Sequence, residues 1–342
     1  MNRRRGVAWA VGLVLVALGV AAVRFGTDAA VLPGSGLPCP ALLDPPLLTW
    51  EPGRILLRDP TTISLFADRK RRVLFAPRQF TLQMATVDVP GRGRRLLVLT
   101  AEQFRRGHFL RSHLYLLDPD HPADVVTLSP EPGYNFWDLS VGDVDGDGQP
   151  EVALCTWSHT ARDPRLAQRF FVYSWARSGD LYPRWRGSRL CRPYVWARLR
   201  DVNADGRAEL VSVETALSGA QVLVAYAWNQ FGFWGAGETD ELPADTLTAA
   251  ETPRLADVDG DGHDELFAVC TDPAGVRRVT AFALHESRWV PVQCSDPLPP
   301  DQDIVVVPSI GGSIVVAFVI HGDPTPRPLP LRPVERGHQD AG

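Results

Sequence analysis

The feature that most constrains this chain is an acidic nine-residue motif that returns three times at nearly constant spacing. Asp143-Val144-Asp145-Gly146-Asp147-Gly148-Gln149-Pro150-Glu151 is followed by Asp201-Val202-Asn203-Ala204-Asp205-Gly206-Arg207-Ala208-Glu209. It returns as Asp257-Val258-Asp259-Gly260-Asp261-Gly262-His263-Asp264-Glu265, the intervals being 58 and 56 residues. A fixed period of this size marks a repeat architecture, in which each unit buries its apolar face only against its neighbours. One interval upstream, Asp88-Val89-Pro90-Gly91-Arg92-Gly93 keeps the first aspartate and the sixth-position glycine, and Arg92 at its fifth position excludes a metal. Downstream, Val307 to Gly312 keeps only turn glycines between two apolar runs.

Each period reads as four short strands. In the clearest one they are 137–144 leading into the acidic loop, 151–156 leaving it, then 169–175 and 181–186. Short segments rich in β-branched and aromatic residues, bounded by Gly, Pro and Asp clusters, form antiparallel sheet. No segment sustains the apolar spacing of three and four that a helical repeat requires. Four strands per repeat match a propeller blade, so the expected fold is an all-β β-propeller. Repeats begin near residues 82, 137, 194 and 252. The strands left over, 62–66 and 72–75 at one end and 304–307 and 313–319 at the other, would complete a fifth blade shared between the chain termini. Such closure leaves no open sheet edge. Six blades is the alternative, if Leu47 to Arg58 adds strands of its own.

A hard cation such as Ca²⁺ takes six to eight oxygen ligands. Side chains at positions one, three and five of the loop offer such oxygens, the glycine at six permits the sharp turn, and a carbonyl at seven and the glutamate at nine complete the set. An EF-hand closes at position twelve between helices; here the loop closes at nine between strands. This spacing resembles the calcium loops of FG-GAP repeats in integrin α-subunit propellers and of VCBS repeats in bacterial surface proteins, over roughly residues 72–319. The resemblance implies up to three structural calcium ions. Their ligands would be Asp143, Asp145, Asp147, the Gln149 carbonyl and Glu151; Asp201, Asn203, Asp205, the Arg207 carbonyl and Glu209; and Asp257, Asp259, Asp261, the His263 carbonyl and Glu265. The chain lacks Phe-Gly before the loop and Gly-Ala-Pro after the exit strand, so the looser VCBS form fits better and integrin-like ligand recognition is not implied. Asn203 replaces a charge with a neutral oxygen, so by charge count the second site is the weaker. Extracellular modules of this kind hold calcium at roughly 10⁻⁴–10⁻³ M, which suits a structural clamp.

The N-terminus sets the compartment. Arg3, Arg4 and Arg5 precede an uncharged run from Gly6 to Val23, which as a helix would reach about 27 Å, close to the thickness of a bilayer core. A secretory signal has a shorter apolar stretch and a small-x-small cleavage site, and none follows here. Residues 1–25 therefore read as a transmembrane signal-anchor with the arginines in the cytoplasm. Residues 26–46 read as a Pro/Gly-rich linker, 47–321 as the propeller and 322–342 as a disordered Pro-rich tail. The propeller is expected to be extracytoplasmic, or secreted if the segment is cleaved. A net charge of -5, from 35 basic against 40 acidic residues, gives no field that favours nucleic acid.

An oxidising compartment permits disulfides, and Cys155–Cys191 and Cys270–Cys294 are reasonable pairs; the alternative is buried free thiols. Cys39 is left over. Trp175 and Trp228 read as core residues; Trp137 and Trp196, at the start of the innermost strands, are placed where a ring near the channel could stack on a sugar or peptide, but a structural role is the favoured reading for them too. No nucleophile elbow, His-Glu-x-x-His pair or phosphate-cradling loop occurs. The expected function is a membrane-anchored calcium-binding module that binds a protein or glycan. The alternative is a polysaccharide lyase or hydrolase with its site at the channel mouth.

Overall fold

The computed structural model describes residues 47–334 except 52–53, 59–61, 68–69, 77–79, 103, 106–107, 110, 131–134, 160–162, 188–189, 243–252, 258–262, 273, 299–301, 309–313, 321–322 and 329–330. The segments read as anchor and linker lie outside the described residues, among which no helix is long and apolar enough to cross a membrane.

The described chain is all-β, and its strands group in chain order into antiparallel sheets. The first sheet contains β1 (Leu47–Glu51), β2 (Arg54–Arg58), β3 (Ile63–Ala67) and β4 (Lys70–Phe75). The second is built from β5 (Phe80–Val89) and β6 (Gly93–Ala101), then, after a small hairpin of β7 (Phe104–Arg105) and β8 (His108–Phe109), from β9 (Ser112–Leu117) and β10 (Val125–Leu128). The third holds β11 (Asn135–Gly142), β12 (Glu151–Ser158), β13 (Ala167–Trp175) and β14 (Leu181–Arg186). The fourth holds β15 (Tyr194–Arg200), β16 (Glu209–Thr215), β17 (Gln221–Trp228) and β18 (Phe233–Glu238). The fifth runs through β19 (Arg254–Ala256), β20 (Glu265–Thr271), β21 (Arg277–His285) and β22 (Arg288–Ser295), and touches the fourth at a single parallel pairing, Glu238 with Arg288. Last come β23 (Gln302–Pro308), β24 (Ile314–Ile320) and β25 (Asp323–Pro328), with β26 (Leu331–Pro333) paired on β22.

Burial explains why the inner strands read as unbroken apolar runs. In the third and fourth sheets the first three strands are almost wholly buried, while β14 and β18 are largely exposed. A strand covered on both faces has no polar side to alternate. Its alternate residues serve different neighbours. Leu97 and Leu99 of β6 pack toward the third sheet, and Leu96 and Val98 toward Leu56, Ile63 and Leu65 of the first. On β16, Leu210 joins the third-sheet side, and Val211 and Val213 meet Leu266, Ala268 and Phe282 of the fifth. Consecutive four-stranded sheets thus stack face to face in chain order, as propeller blades do. The first strands line up side by side, β11 lying against both β5 and β15. Arg198 of β15 binds the Leu139 carbonyl at 3.3 Å and the Asp138 carboxylate at 3.0 Å, and Leu199 donates its amide to Ser140 at 3.0 Å.

Three sequence expectations change here. The strands at 62–66 and 72–75 do not wait for the C-terminus: Leu47 to Arg58 supplies β1 and β2, and the four form a sheet of their own, while β23 to β25 form another. The Pro-rich segment after 322 is not wholly a tail, since it provides β25 and β26. Pro324, Pro326 and Pro328 share one parity, so every missing N–H falls on the same side of an edge strand. The cysteine pairings fail too. Cys155, Cys191, Cys270 and Cys294 are free. Cys270 pairs with Arg278 and Cys294 with Thr280, so β21 runs between them and separates the two by about 10 Å, two strand spacings, beyond disulfide reach.

Candidate metal centre

The acidic loops are the turns that join the first and second strands of successive sheets, Gly142 and Glu151 closing the β11–β12 pair and Arg200 and Glu209 the β15–β16 pair. Their backbone explains the residue pattern. Position six is left-handed in both loops, Gly148 at φ 83° and Gly206 at φ 84°, and so is position four, where Gly146 stands at 76° and Ala204 at 54°. Glycine takes such values without steric penalty.

In the first loop, the Asp143 carboxylate accepts the amides of Gly146 at 2.8 Å and Gly148 at 2.7 Å, and Asp147 accepts the Gln149 amide at 2.7 Å. Asp147 points to solvent. Glu151 is 1% exposed and accepts from the Val144 amide at 3.0 Å, the Ser174 hydroxyl at 3.0 Å and Arg184 at 3.2 Å. Burial raises its pKa, the Val144 amide, Arg184 and Ser174 offset part of the rise, and Asp145 adds to it. Arg184 also pairs with Asp145 Oδ2. The fold brings Asp143, Asp145 and Glu151 together, each offering an oxygen within 4.8 Å of the others.

The second loop repeats the plan. Asp201 accepts the Gly206 amide at 2.9 Å, Asn203 the Asp205 amide at 3.0 Å, Asp205 the Arg207 amide at 2.8 Å and Glu209 the Val202 amide at 3.1 Å. The Asn203 amide group donates to Glu209 at 3.3 Å. Glu209 is 2% exposed, and its pKa is raised from 4.5 to about 7, chiefly by burial and further by Asp205 and Asp201, against the pull of the Val202 amide. Among the described residues Glu209 has no ion pair.

Two buried oxygens, Asp145 Oδ1 in the first loop and Asp201 Oδ1 in the second, have no hydrogen-bond partner among the described residues. A buried carboxylate oxygen left so costs free energy that a cation would return. An all-oxygen donor set suits a hard ion such as Ca²⁺, so the residues of both loops fit one. Of the third loop, Asp257 and residues 263–265 are described, with Glu265 buried; Asp259 and Asp261 lie outside the described residues. Asp264 there pairs with Arg200 of the preceding sheet.

Neighbouring loops are also tied to one another. The Asp143 carbonyl accepts the Ala208 amide at 2.6 Å, and the Gln149 side chain donates to the Asp88 carbonyl at 2.6 Å. The Arg207 side chain lies on Gly146. The sequence reading missed Ser174 and Arg184 because they lie on the third and fourth strands, far from any motif. Trp137 and Trp196 are 5% and 3% exposed and wedged between sheets, the structural place that the sequence reading favoured for them over stacking on a ligand.

The comparisons with known proteins agree with the repeat. Residues 201–268 match the family described as FG-GAP-like repeat, so the chain carries that repeat from the start of the second loop into β20. No curated protein matches the chain. Among solved structures, the one titled "Crystal Structure of the N-terminal Domain of Nup159" superposes with a TM-score of 0.46 at 10% identity, over 83% of this chain and 75% of that one. A likeness of that degree carries no argument about fold or function.

Proposed function

We propose that this chain is a calcium-clamped propeller, held outside the cell by its N-terminal segment, that serves as a protein- or glycan-binding module. What carries the metal reading is the pair of orphaned carboxylate oxygens, Asp145 Oδ1 and Asp201 Oδ1, in two loops of the same plan whose glutamates are buried. Asp143, Asp145 and Glu151 would hold one ion, and Asp201, Asn203, Asp205 and Glu209 a second. The third loop would take a third through Asp257 and Glu265, with Asp259 and Asp261 between them. The ion would neutralise a buried glutamate and fix the turn that contacts the next sheet, so its effect is structural. The nine-stranded sheet is joined across its middle only at Glu238–Arg288, and counted as two units there it brings the described groups of three or more strands to six, which favours a ring of six blades. Arg3 to Arg5 before the Gly6–Val23 run favours an anchor with the propeller outside.

Recognition is supported by aromatic side chains left in solvent. Tyr182 and Trp234 hold equivalent places on β14 and β18, opposite Ser174 and Ala227, and are 47% and 66% exposed; Phe231 in the neighbouring turn is 90% exposed. Trp185 and Phe233 join the two hairpins edge to face at 5.1 Å. Exposed aromatics grouped in this way form interaction surfaces. On glycan and peptide arrays, the full chain in millimolar calcium is expected to retain one ligand class, weakened in Trp234→Ala and lost in chelator. Retention of no class in either condition would remove the binding-module reading.

A further inference from the structure

The two described loops share a plan but differ in the side chains that reach them from the third and fourth strands. We infer that Arg184 is a resident cation of the first loop, which competes with calcium there and makes that loop the more weakly binding of the two. This rests on the calcium reading above.

Arg184 spans the ligands rather than the loop's rim. One terminal nitrogen is 3.2 Å from Glu151 Oε1 and 3.1 Å from Ser174 Oγ, and the other pairs with Asp145 Oδ2. Asp145 and Glu151 are two of the three carboxylates whose oxygens converge. A divalent ion needs those same oxygens, and two cations a few ångströms apart repel. Calcium therefore enters the first loop only by displacing the guanidinium or by sharing oxygens with it at a cost in affinity.

The second loop has no such neighbour. Pro183 and Gly235 lie opposite Tyr173 and Tyr226 at matching irregularities in the two sheets, so the next residues, Arg184 and Ala236, occupy equivalent places. Ser174 is likewise replaced by Ala227. Glu209 is met instead by the neutral Asn203 amide. Counting loop charges alone makes the second site weaker, because Asn203 stands where the first loop has Asp145. Arg184 cancels that difference in charge and in addition occupies the donor atoms, which reverses the order.

A displaced guanidinium has a place to go. Its central carbon already stands 5.3 Å from the centre of the Trp228 ring, a cation–π distance. Trp228 packs on Phe233 in the hairpin that presents Phe231 and Trp234 to solvent. Filling of the first loop is thereby coupled to the exposed aromatic hairpin of the next sheet, while the second loop remains a constant clamp.

The test is a calcium titration of the chelator-stripped full chain, labelled with ¹⁵N-glycine and followed by NMR. Gly146 and Gly148 bond the Asp143 carboxylate and Gly206 bonds Asp201, so their amides report the loops separately. In the wild type, Gly206 is expected to saturate at lower calcium than Gly146 and Gly148. In Arg184→Met the midpoint of Gly146 and Gly148 should fall by about tenfold or more, with Gly206 unmoved. A shift under about twofold, with Gly206 titrating normally, overturns the role of Arg184 and leaves the calcium reading standing. No response at any of the three glycines overturns both. If Arg184→Met does not fold, Ala236→Arg decides: the role is upheld by a weakened response at Gly206 and overturned by an unchanged one.

Discussion

Gly142→Ala is expected to destabilise the protein by prising apart two sheets where the acidic loops meet. Gly142 is the last residue of β11, and a Cβ built there would lie 2.5 Å from the Ala208 Cβ and 3.0 Å from the Leu199 Cβ of the neighbouring sheet. Carbon atoms pack at about 3.5–4.0 Å, so the sheets must part locally by about 1 Å. Both contacts involve short or rigid atoms that cannot swing away. Overpacking of this kind costs about 1–3 kcal/mol. The movement also strains the 2.6 Å bond from the Ala208 amide to the Asp143 carbonyl, whose loss adds about 1 kcal/mol. The total, about 2–4 kcal/mol, corresponds to a fall in Tm of roughly 4–16 °C at about 2–4 °C per kcal/mol. Thermal and urea melts of the full chain measure it. Ala208→Gly removes the nearer contact, so the double variant should recover about half of the loss, a coupling that a double-mutant cycle isolates. A Gly142→Ala protein that melts with the wild type, or that Ala208→Gly does not rescue, would show that these sheets do not meet at this register.

The same loops set other outcomes. With calcium chelated, Glu209 has its pKa raised from 4.5 to about 7, so its contribution to stability is fully present below the unfolded value and lost as pH rises through 7. That single group is worth roughly 3 kcal/mol. The chelated protein should therefore melt at a lower temperature at pH 8 than at pH 5, and saturating calcium should flatten or reverse that slope; parallel profiles with and without calcium would refute it. Ala204→Gly, at a left-handed position, should gain about 1 kcal/mol in urea unfolding, and a loss would refute the strain. Leu210→Ala, at a fully buried position between sheets, should cost about 2–5 kcal/mol in the same assay; a change under about 1 kcal/mol would place Leu210 outside the core.

How much of this was legible in the sequence depends on the range of the interaction. The strands of the third sheet could be read closely, β14 at its full bounds of Leu181–Arg186 and β13 to within two residues, because turn chemistry and apolar runs are local signals. The acidic loops were legible for the same reason, since left-handed positions demand glycine or cost strain. Arg184 was not: it reaches Asp145 from 39 residues away, and only the pairing of β13 with β14 places it over the loop. The sequence left two places open for Trp137 and Trp196, because a ring at the start of an inner strand gives the same signal whether it faces a channel or a neighbouring sheet. The C-terminal prolines carry the composition of a tail, and only their period of two fits an edge strand. Whether a cysteine pair can bond depends on strand order, which no spacing reveals.

The most direct test of the metal loops is a crystal structure of the full chain grown in calcium, with anomalous difference maps recorded at long wavelength. Peaks are expected among Asp143, Asp145 and Glu151 and among Asp201, Asn203 and Glu209, at roughly 2.3–2.6 Å from their oxygens. Maps that are flat at both positions under saturating calcium, with ordered water or side-chain contacts filling the turns, would contradict the assignment.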